Sequence, residues 1–293
     1  MSLKKDKKDQ GVFYIAIGED FVLEGRKSAL AVRQTMPEVS ITLLTNIKRK
    51  FDVFDNIIYV DDSNQGFDHK IKYMSRSPYE RTLYLDTDTH LTESVSELFA
   101  ILDEFDLSIS YSPYRAYREA LKTEEGELQI KDLPECFPQY NTGVISFVNN
   151  ERVKDLFDSW WKISQSDEAK IHSNDQMSFM EALYRSKVRY LTIPQEYNFR
   201  YRNPGHAVGK VKIIHGRLLN IETPGRSLDY PVWVVKNLIN KDYNPRVYTT
   251  GPGGFKVISK SKLSVLNSVK YSVERNGLVT TLNKILTKIL GKV

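Results

Sequence analysis

Short apolar runs and helix-period segments alternate through the first half of the chain. The runs VFYIAI (12–17), SITLLT (40–45), NIIYV (56–60) and LSISY (107–111) are rich in β-branched and aromatic residues and predict strands. Leu83, Tyr84 and Leu85 form another such run, which predicts a strand covered on both faces. Between them, FVLEGRKSALAVRQTM (21–36) has Leu23, Leu30 and Met36 among its apolar positions and predicts a helix ended by Pro37. HKIKYMSRS (69–77) predicts a helix before Pro78, and SVSELFAILDEF (94–105) a helix capped by Ser94. Strand–helix alternation of this kind predicts an α/β fold, a parallel sheet with helices on both faces.

The second half is less regular. GVISFV (143–148) and VKIIH (211–215) predict strands. NERVKDLFDSWWKIS (150–164) predicts a helix with Val153, Leu156, Phe157 and Trp160 on one side, and SNDQMSFMEALYRS (173–186) one led by Ser173 or Asn174. TPGRS (223–227) and TTGPGGF (249–255) mark a loop-rich stretch. The last segment, GLVTTLNKILTKILGKV (277–293), sets Leu278, Leu282, Ile285, Leu286, Ile289 and Leu290 on one helical stripe, with Lys284, Lys288 and Lys292 outside it.

At 293 residues, the chain has room for one large domain and an appendage. No apolar stretch reaches the ~18 residues needed to span a membrane, and the start MSLKKDKKDQ has no signal-peptide core. The single cysteine, Cys136, leaves no intramolecular disulfide and suits a reducing, cytoplasmic setting. Of the net charge of +5, the segment from Phe255 onward carries +7, eight Lys/Arg against Glu274. The remainder is slightly acidic, which argues against a nucleic-acid partner.

Candidate chemistry concentrates where the run at 83–85 ends in Asp86-Thr87-Asp88. Two carboxylates at i and i+2 repel and are costly to desolvate without a cation between them. On a turn leaving a strand both can reach one divalent cation, with hard oxygen ligands suited to Mg²⁺ or Mn²⁺. The other reading is that acids are favoured near the start of the helix at 94. Ligands gather at the carboxyl ends of strands in such sheets, which favours the cation. His215 closes VKIIH, and an imidazole beside two carboxylates suits Mn²⁺ better than Mg²⁺, although a lone histidine at a strand end is more often structural. In YNTGVISF, Asn141 and Thr142 enter a strand and Gly143 would permit close approach of a ligand to the backbone. Asp175 and Gln176 open a helix, where capping alone explains an acid. Lys70 and Lys72 precede the Asp pair and could reach phosphates, or lie on a solvated face.

Taken in order, these pieces resemble a GT-A glycosyltransferase, most of all glycosyltransferase family 8, the glycogenin-like enzymes. YLDTDT is similar to that family's Asp-x-Asp segment, YNTGVISF to its Asn-Ser-Gly-Val strand, NDQMSF to its Asp-Gln helix start and IIHGR to its late metal-binding histidine. The resemblance covers roughly residues 12–217. It implies a GT-A fold, a Rossmann-like mixed sheet with helices on both faces, over residues 1–250, with a nucleotide-binding half near 11–112 and an acceptor half near 113–250. Residues 251–293 would form a basic amphipathic tail. It implies transfer of a sugar, with retention, from a nucleotide diphosphate donor, a UDP-sugar, to a glycan, lipid-linked or protein acceptor. Asp86, Asp88 and His215 would hold Mn²⁺, with Mg²⁺ the alternative. Lys70, Asp175 and Gln176 would serve catalysis. Ala16, Ile17, Gly18, Lys70, Asp86, Thr87, Asp88, Asn141, Thr142, Gly143, Gly216 and Arg217 would bind the donor. The chain departs from the family in two places. Gly18-Glu19 and Val22 stand where the family has Thr-Asn and Tyr, and no Lys-Pro-Trp follows His215-Gly216-Arg217.

Two rivals start from the same residues. Haloacid-dehalogenase-like phosphatases also end a strand in Asp-x-Asp, but with Thr two residues later, where this chain has His90, and usually on an early strand. A non-catalytic reading makes the basic helix lead a module that binds a membrane surface or a protein partner, at the inner face of a membrane or in a dimer. Against that stands packing of the helix back on its own body or on a dimer mate.

Overall fold

Successive residues of the central strands fall into two different cores, and this alternation sets the architecture. A computed structural model describes residues 9–62, 68–112, 122–123, 126–127, 133–134, 136–166, 175–201, 205–217, 232–241, 243, 245–251 and 254–290. Its strands are β1 (Gln10–Ala16), β2 (Ser40–Thr45), β3 (Asn56–Tyr59), β4 (Arg81–Leu85), β5 (Thr89–Leu91), β6 (Leu107–Tyr111), β7 (Lys122–Thr123), β8 (Gly126–Glu127), β9 (Tyr140–Val148), β10 (Tyr190–Ile193), β11 (Phe199–Arg200), β12 (Gly205–Ala207), β13 (Ile213–His215), β14 (Arg246–Gly251) and β15 (Gly254–Ser259). Its helices are α1 (Glu19–Thr35), α2 (Asp68–Tyr73), α3 (Glu97–Ala100), α4 (Glu151–Ser164), α5 (Asp175–Arg185), α6 (Val232–Ile239), α7 (Lys260–Asn276) and α8 (Leu278–Leu290).

In β4, Leu83 and Leu85 pack with α1 and α3, whereas Tyr84 packs with α2, α4 and α5. β1 divides the same way, Val12 and Tyr14 to one side and Phe13 and Ile15 to the other. With a side-chain period of two, strands so buried must lie inside a three-layer sandwich. The seven-stranded sheet has the order β10-β6-β9-β4-β1-β2-β3. β1 runs parallel to β2 and β4, β2 to β3 and β6 to β10, while β9 runs antiparallel to both β4 and β6. The sheet is therefore mixed rather than wholly parallel.

The helices follow the apolar spacing with instructive departures. Val153, Leu156, Phe157 and Trp160 of α4 are all buried, and the Asn150 side chain caps it by accepting from the Val153 backbone N–H at 3.0 Å. In α1 the expected apolar positions Leu23 and Leu30 face outward, 37% and 45% exposed. The buried face includes Val22, Gly25, Ser28, Ala29 and Val32, because small residues let the helix approach the sheet closely. Ser28 joins a buried hydroxyl chain, Tyr14 Oη to Ser28 Oγ at 2.8 Å and Ser28 Oγ to Thr89 Oγ1 at 2.9 Å. The helix expected over 94–105 is only α3 plus a 3₁₀ turn at 101–103, and it starts after Ser96 rather than at Ser94. TTGPGGF contributes to the paired strands β14 and β15, which lie on either side of the expected boundary near residue 250. Ser173, Asn174 and TPGRS lie outside the described residues.

The start of β6 is held by one buried acid. Asp106 accepts from Arg152 Nε (2.9 Å) and Nη2 (2.6 Å), Asn150 Nδ2 (2.8 Å) and the Arg189 backbone N–H (2.9 Å). The Arg152 hydrogen bonds outweigh burial and hold its pKa down at about 2. Because the folded pKa lies below the unfolded value, this stabilisation is complete above about pH 4 and is lost as pH falls towards 2. Asp106→Asn is expected to cost about 2 kcal/mol at neutral pH. In urea titrations, the gap to the parent should close on acidification.

Candidate functional site

Three strands distant in sequence meet where β4 ends. The Asp86 backbone N–H donates to the Gly143 carbonyl of β9 at 2.8 Å, just past the Leu85–Val144 pair. The chain then turns into β5, and β13 pairs with β5 antiparallel, so that His215 stands opposite Thr89. Ile213 and Ile214 are fully buried and drive that pairing. The Gly216 backbone N–H, on a residue with φ of 127°, donates to the Asp88 carbonyl at 3.0 Å and ties the end of β13 to the acidic turn.

The result is a cluster of Asp86, Asp88 and His215 in which one ligand atom from each lies within 4.8 Å of the others. His215 Nε2 is 3.1 Å from Asp88 Oδ1 and 3.7 Å from Asp86 Oδ2. Its tautomer follows from the network behind it. Asn198 Nδ2 donates to both oxygens of Asn141, the carbonyl at 3.2 Å and Oδ1 at 2.9 Å. The Asn198 side-chain Oδ1 is thereby turned to His215 Nδ1, 2.6 Å away, and accepts a hydrogen bond from the Nδ1–H. Nε2 is then the nitrogen that faces the two carboxylates: an imidazolium pairs with them, whereas a neutral ring would aim its lone pair at them and needs a cation between. The spacing fits one: ligands about 2.1 Å from an octahedral cation lie about 3 Å apart along an edge. Burial of His215 and a hydrogen-bonded second nitrogen complete the usual surroundings of a metal-binding imidazole.

A second group of charges adjoins the first. Lys70 Nζ lies 2.6 Å from Asp175 Oδ2, 3.1 Å from Asp86 Oδ1 and 3.2 Å from Thr142 Oγ1. Thr142 Oγ1 in turn donates to Asp175, and Tyr84 Oη donates to Asp86 Oδ1 at 2.8 Å. Burial pulls the Lys70 pKa down, but Asp175 and Asp86 more than offset it and hold the ammonium above its ordinary value. Burial raises the Asp175 pKa less than Lys70 lowers it, so its carboxylate stays ionised. Asp88 is likewise held well below the usual range, burial being outweighed by His215 with help from Arg200 and Arg217. Glu24 is the contrast: burial, then Asp88, push its pKa up.

The other predicted residues take varied places. Ala16 ends β1 opposite Thr45 of β2 and Ile17 follows it, both buried, and the Gly18 N–H, on a residue with φ of 96°, donates to Asn46 Oδ1 at 2.9 Å. Val22 is fully buried on the sheet-facing side of α1. Thr87 donates to Glu24 Oε2 at 2.6 Å, and Arg217 Nε lies 3.3 Å from Glu24 Oε1 with its guanidinium 5.6 Å from the Phe21 ring centre. Asn141 Oδ1 is engaged internally, accepting from the Gly143 N–H and from Asn198. Gln176 sits in the first turn of α5, 3.5 Å from Gln139 Nε2 through its Oε1. Lys72 pairs with Asp62 at 2.7 Å, apart from the cluster. Gly143 permits close approach of a side chain: a Cβ there would lie 2.1 Å from His215 Cε1 and 2.9 Å from Asp86 Oδ2. Asn198 and Arg200, the latter 3.5 Å from His215 Nε2, were not singled out from the sequence. The only signal was a polar alternation in YNFRY (197–201), whose aromatic members Phe199 and Tyr201 are buried.

No protein-family model matches the sequence, and no curated protein matches it. Among solved structures, the chain is similar to the glycosyltransferase GlyE of Streptococcus pneumoniae TIGR4. That match has 14% identity and a TM-score of 0.51 and covers 80% of this chain and 61% of the other. It is also similar to the bifunctional glycosyltransferase WbbM, at 12% identity and a TM-score of 0.51, covering 75% of this chain and 47% of that one. The chain thus spans less than two thirds of either protein. The likeness is one of fold: a GT-A fold, a Rossmann-like mixed α/β sheet with helices on both faces.

Proposed function

We propose that the chain is a metal-dependent glycosyltransferase, similar to family 8, that moves a sugar from a UDP-sugar to an acceptor with retention. One observation carries the reading: at a strand end of a GT-A fold, a tautomer-fixed imidazole and two carboxylates aim at one point. Asp86, Asp88 and His215 would hold Mn²⁺, or Mg²⁺ in its place. When bound, the cation neutralises charge that develops on the leaving diphosphate.

The remaining roles belong to the chain itself. Asn198 keeps the proton on Nδ1 of His215 and so leaves Nε2 free to coordinate. Lys70, charged throughout the neutral range, supplies a fixed positive group beside the diphosphate and orients Asp86 and Asp175. Asp175 and Gln176 face the reacting sugar from the start of α5. Arg217 adds charge in place of the lysine missing after β13. Ala16, Ile17, Gly18, Thr87, Thr142 and Gly216 complete the donor pocket at the strand ends. The catalytic unit is assigned to residues 1–250 together with β15, which β14 needs as its partner. The GT-A fold leaves the haloacid-dehalogenase-like reading without support.

The test is a thermal-shift screen of nucleotide sugars with and without manganese. A ligand at a hundredfold excess over its dissociation constant stabilises by ~2.7 kcal/mol, a readily measured shift. One UDP-sugar should raise the melting midpoint only when manganese is present. If no nucleotide sugar adds to the effect of manganese alone, the reading falls. Lys70→Met should lower turnover by about a hundredfold with manganese affinity retained. Unchanged turnover would reduce Lys70 to a packing residue.

A further inference from the structure

The C-terminal helices form a hairpin whose apolar stripe faces outward. Thr281, which is buried, donates or accepts at 3.0 Å with Ser272, and Ile285 beside it is half-buried, so α8 leans on α7 along that edge. Leu278, Leu282, Leu286 and Leu290, one helical turn apart, are 60%, 49%, 52% and 69% exposed, and Val279 next to them 72%. The stripe therefore does not pack on the body of the protein. Leaving so many aliphatic side chains in water along one line is unfavourable unless something covers them.

Charge selects the cover. Between 255 and 290 there are seven Lys/Arg and one acid, Glu274, which lies 3.9 Å from Lys270 one turn away. Joining the stripes of two copies would bring together two segments of net charge +6, and like charges oppose that association. An anionic surface is instead attracted. Among the described residues no helix is long and apolar enough to cross a membrane. An amphipathic basic helix of this kind lies in the interface plane, its apolar side at the headgroup–acyl boundary.

We propose that α7 and α8 dock the protein on an anionic lipid surface, the Leu278–Leu282–Leu286–Leu290 stripe entering the bilayer interface and the surrounding lysines engaging acidic headgroups. This does not depend on the transferase reading, because the assay needs no activity. The intact protein is floated with phosphatidylcholine vesicles with or without phosphatidylglycerol. Deleting the tail from 256 onward would cut into β15, so point variants are the cleaner test.

Flotation with the phosphatidylglycerol vesicles, absent with pure phosphatidylcholine and reduced by high salt, is expected. Leu282→Glu with Leu286→Glu should reduce it at least about tenfold with the melting midpoint unchanged, since both side chains are exposed. Lys270→Glu with Lys284→Glu should weaken it several-fold. No flotation, equal flotation with both vesicle types, or full flotation of the Leu282→Glu/Leu286→Glu variant overturns the proposal. So does a dimer in light scattering that the same leucine variant dissociates in the absence of lipid binding, which would identify a second copy as the cover.

Discussion

Asp88→Asn is expected to lower sugar transfer by about three orders of magnitude while the fold survives. Asparagine keeps the shape of the side chain and removes a charge that the site is built to keep: His215, Arg200 and Arg217 outweigh burial and hold the Asp88 carboxyl ionised. Without a bound cation, that charge is favourably placed beside His215, Arg200 and Arg217, so its removal should lower the apo melting midpoint modestly, and transfer is compared at a temperature where the variant is fully folded. Asp86 is the less clean target, because its carboxylate also holds Lys70 and accepts from Tyr84, and Asp86→Asn should cost stability as well as turnover. Manganese titration followed by electron paramagnetic resonance separates these effects. Asp88→Asn with parental manganese affinity and near-parental transfer would remove the metal assignment.

The acidic turn is legible in the sequence because an apolar run buried on both faces accommodates carboxylates only where the strand leaves the sheet. Leu83, Tyr84 and Leu85 reported burial on both faces, and Asp86 and Asp88 then had to be at a strand end. The strand β13 was legible in the same way. What joins them was not. His215 reaches the turn through the β5–β13 register, a pairing between residues more than a hundred positions apart that no local period encodes. The proton on His215 depends on Asn198, whose sequence neighbourhood reads as an ordinary short extended segment. The small-residue face of α1 was missed for a different reason. Apolar size singles out Leu23 and Leu30, yet the buried face is made by Gly25, Ser28 and Ala29 with Val22 and Val32, and Leu23 and Leu30 are left outside. The stripe of α8 shows the converse: its periodicity was plain, but whether it meets the protein or solvent is a property of the packed hairpin.

Gly143 gives this dependence on packing its sharpest test. Its role does not rest on unusual backbone freedom, because it lies within the paired strand β9. It rests on what stands over it: a Cβ at this position would lie 2.1 Å from His215 Cε1 and 2.7 Å from Nδ1. Carbon atoms cannot approach so closely, so the ring must move, and it has little room. Asn198 binds it on one side, Asp88 stands 3.1 Å away on the other, and the side chain is almost wholly buried. Gly143→Ala is therefore expected to swing Nε2 out of line with the two carboxylates, lower manganese affinity at least about tenfold and cost about 2 kcal/mol of stability. Gly25→Ala is the matched control. There the new methyl would meet Thr87 Cγ2 at 3.2 Å, a contact a small shift relieves, and the gain in helix propensity of up to about 1 kcal/mol opposes the strain. Isothermal titration with manganese and urea denaturation should separate the pair, Gly25→Ala near the parent and Gly143→Ala impaired in both. If Gly143→Ala bound manganese as tightly as the parent, His215 would not be held as a ligand by the walls around it.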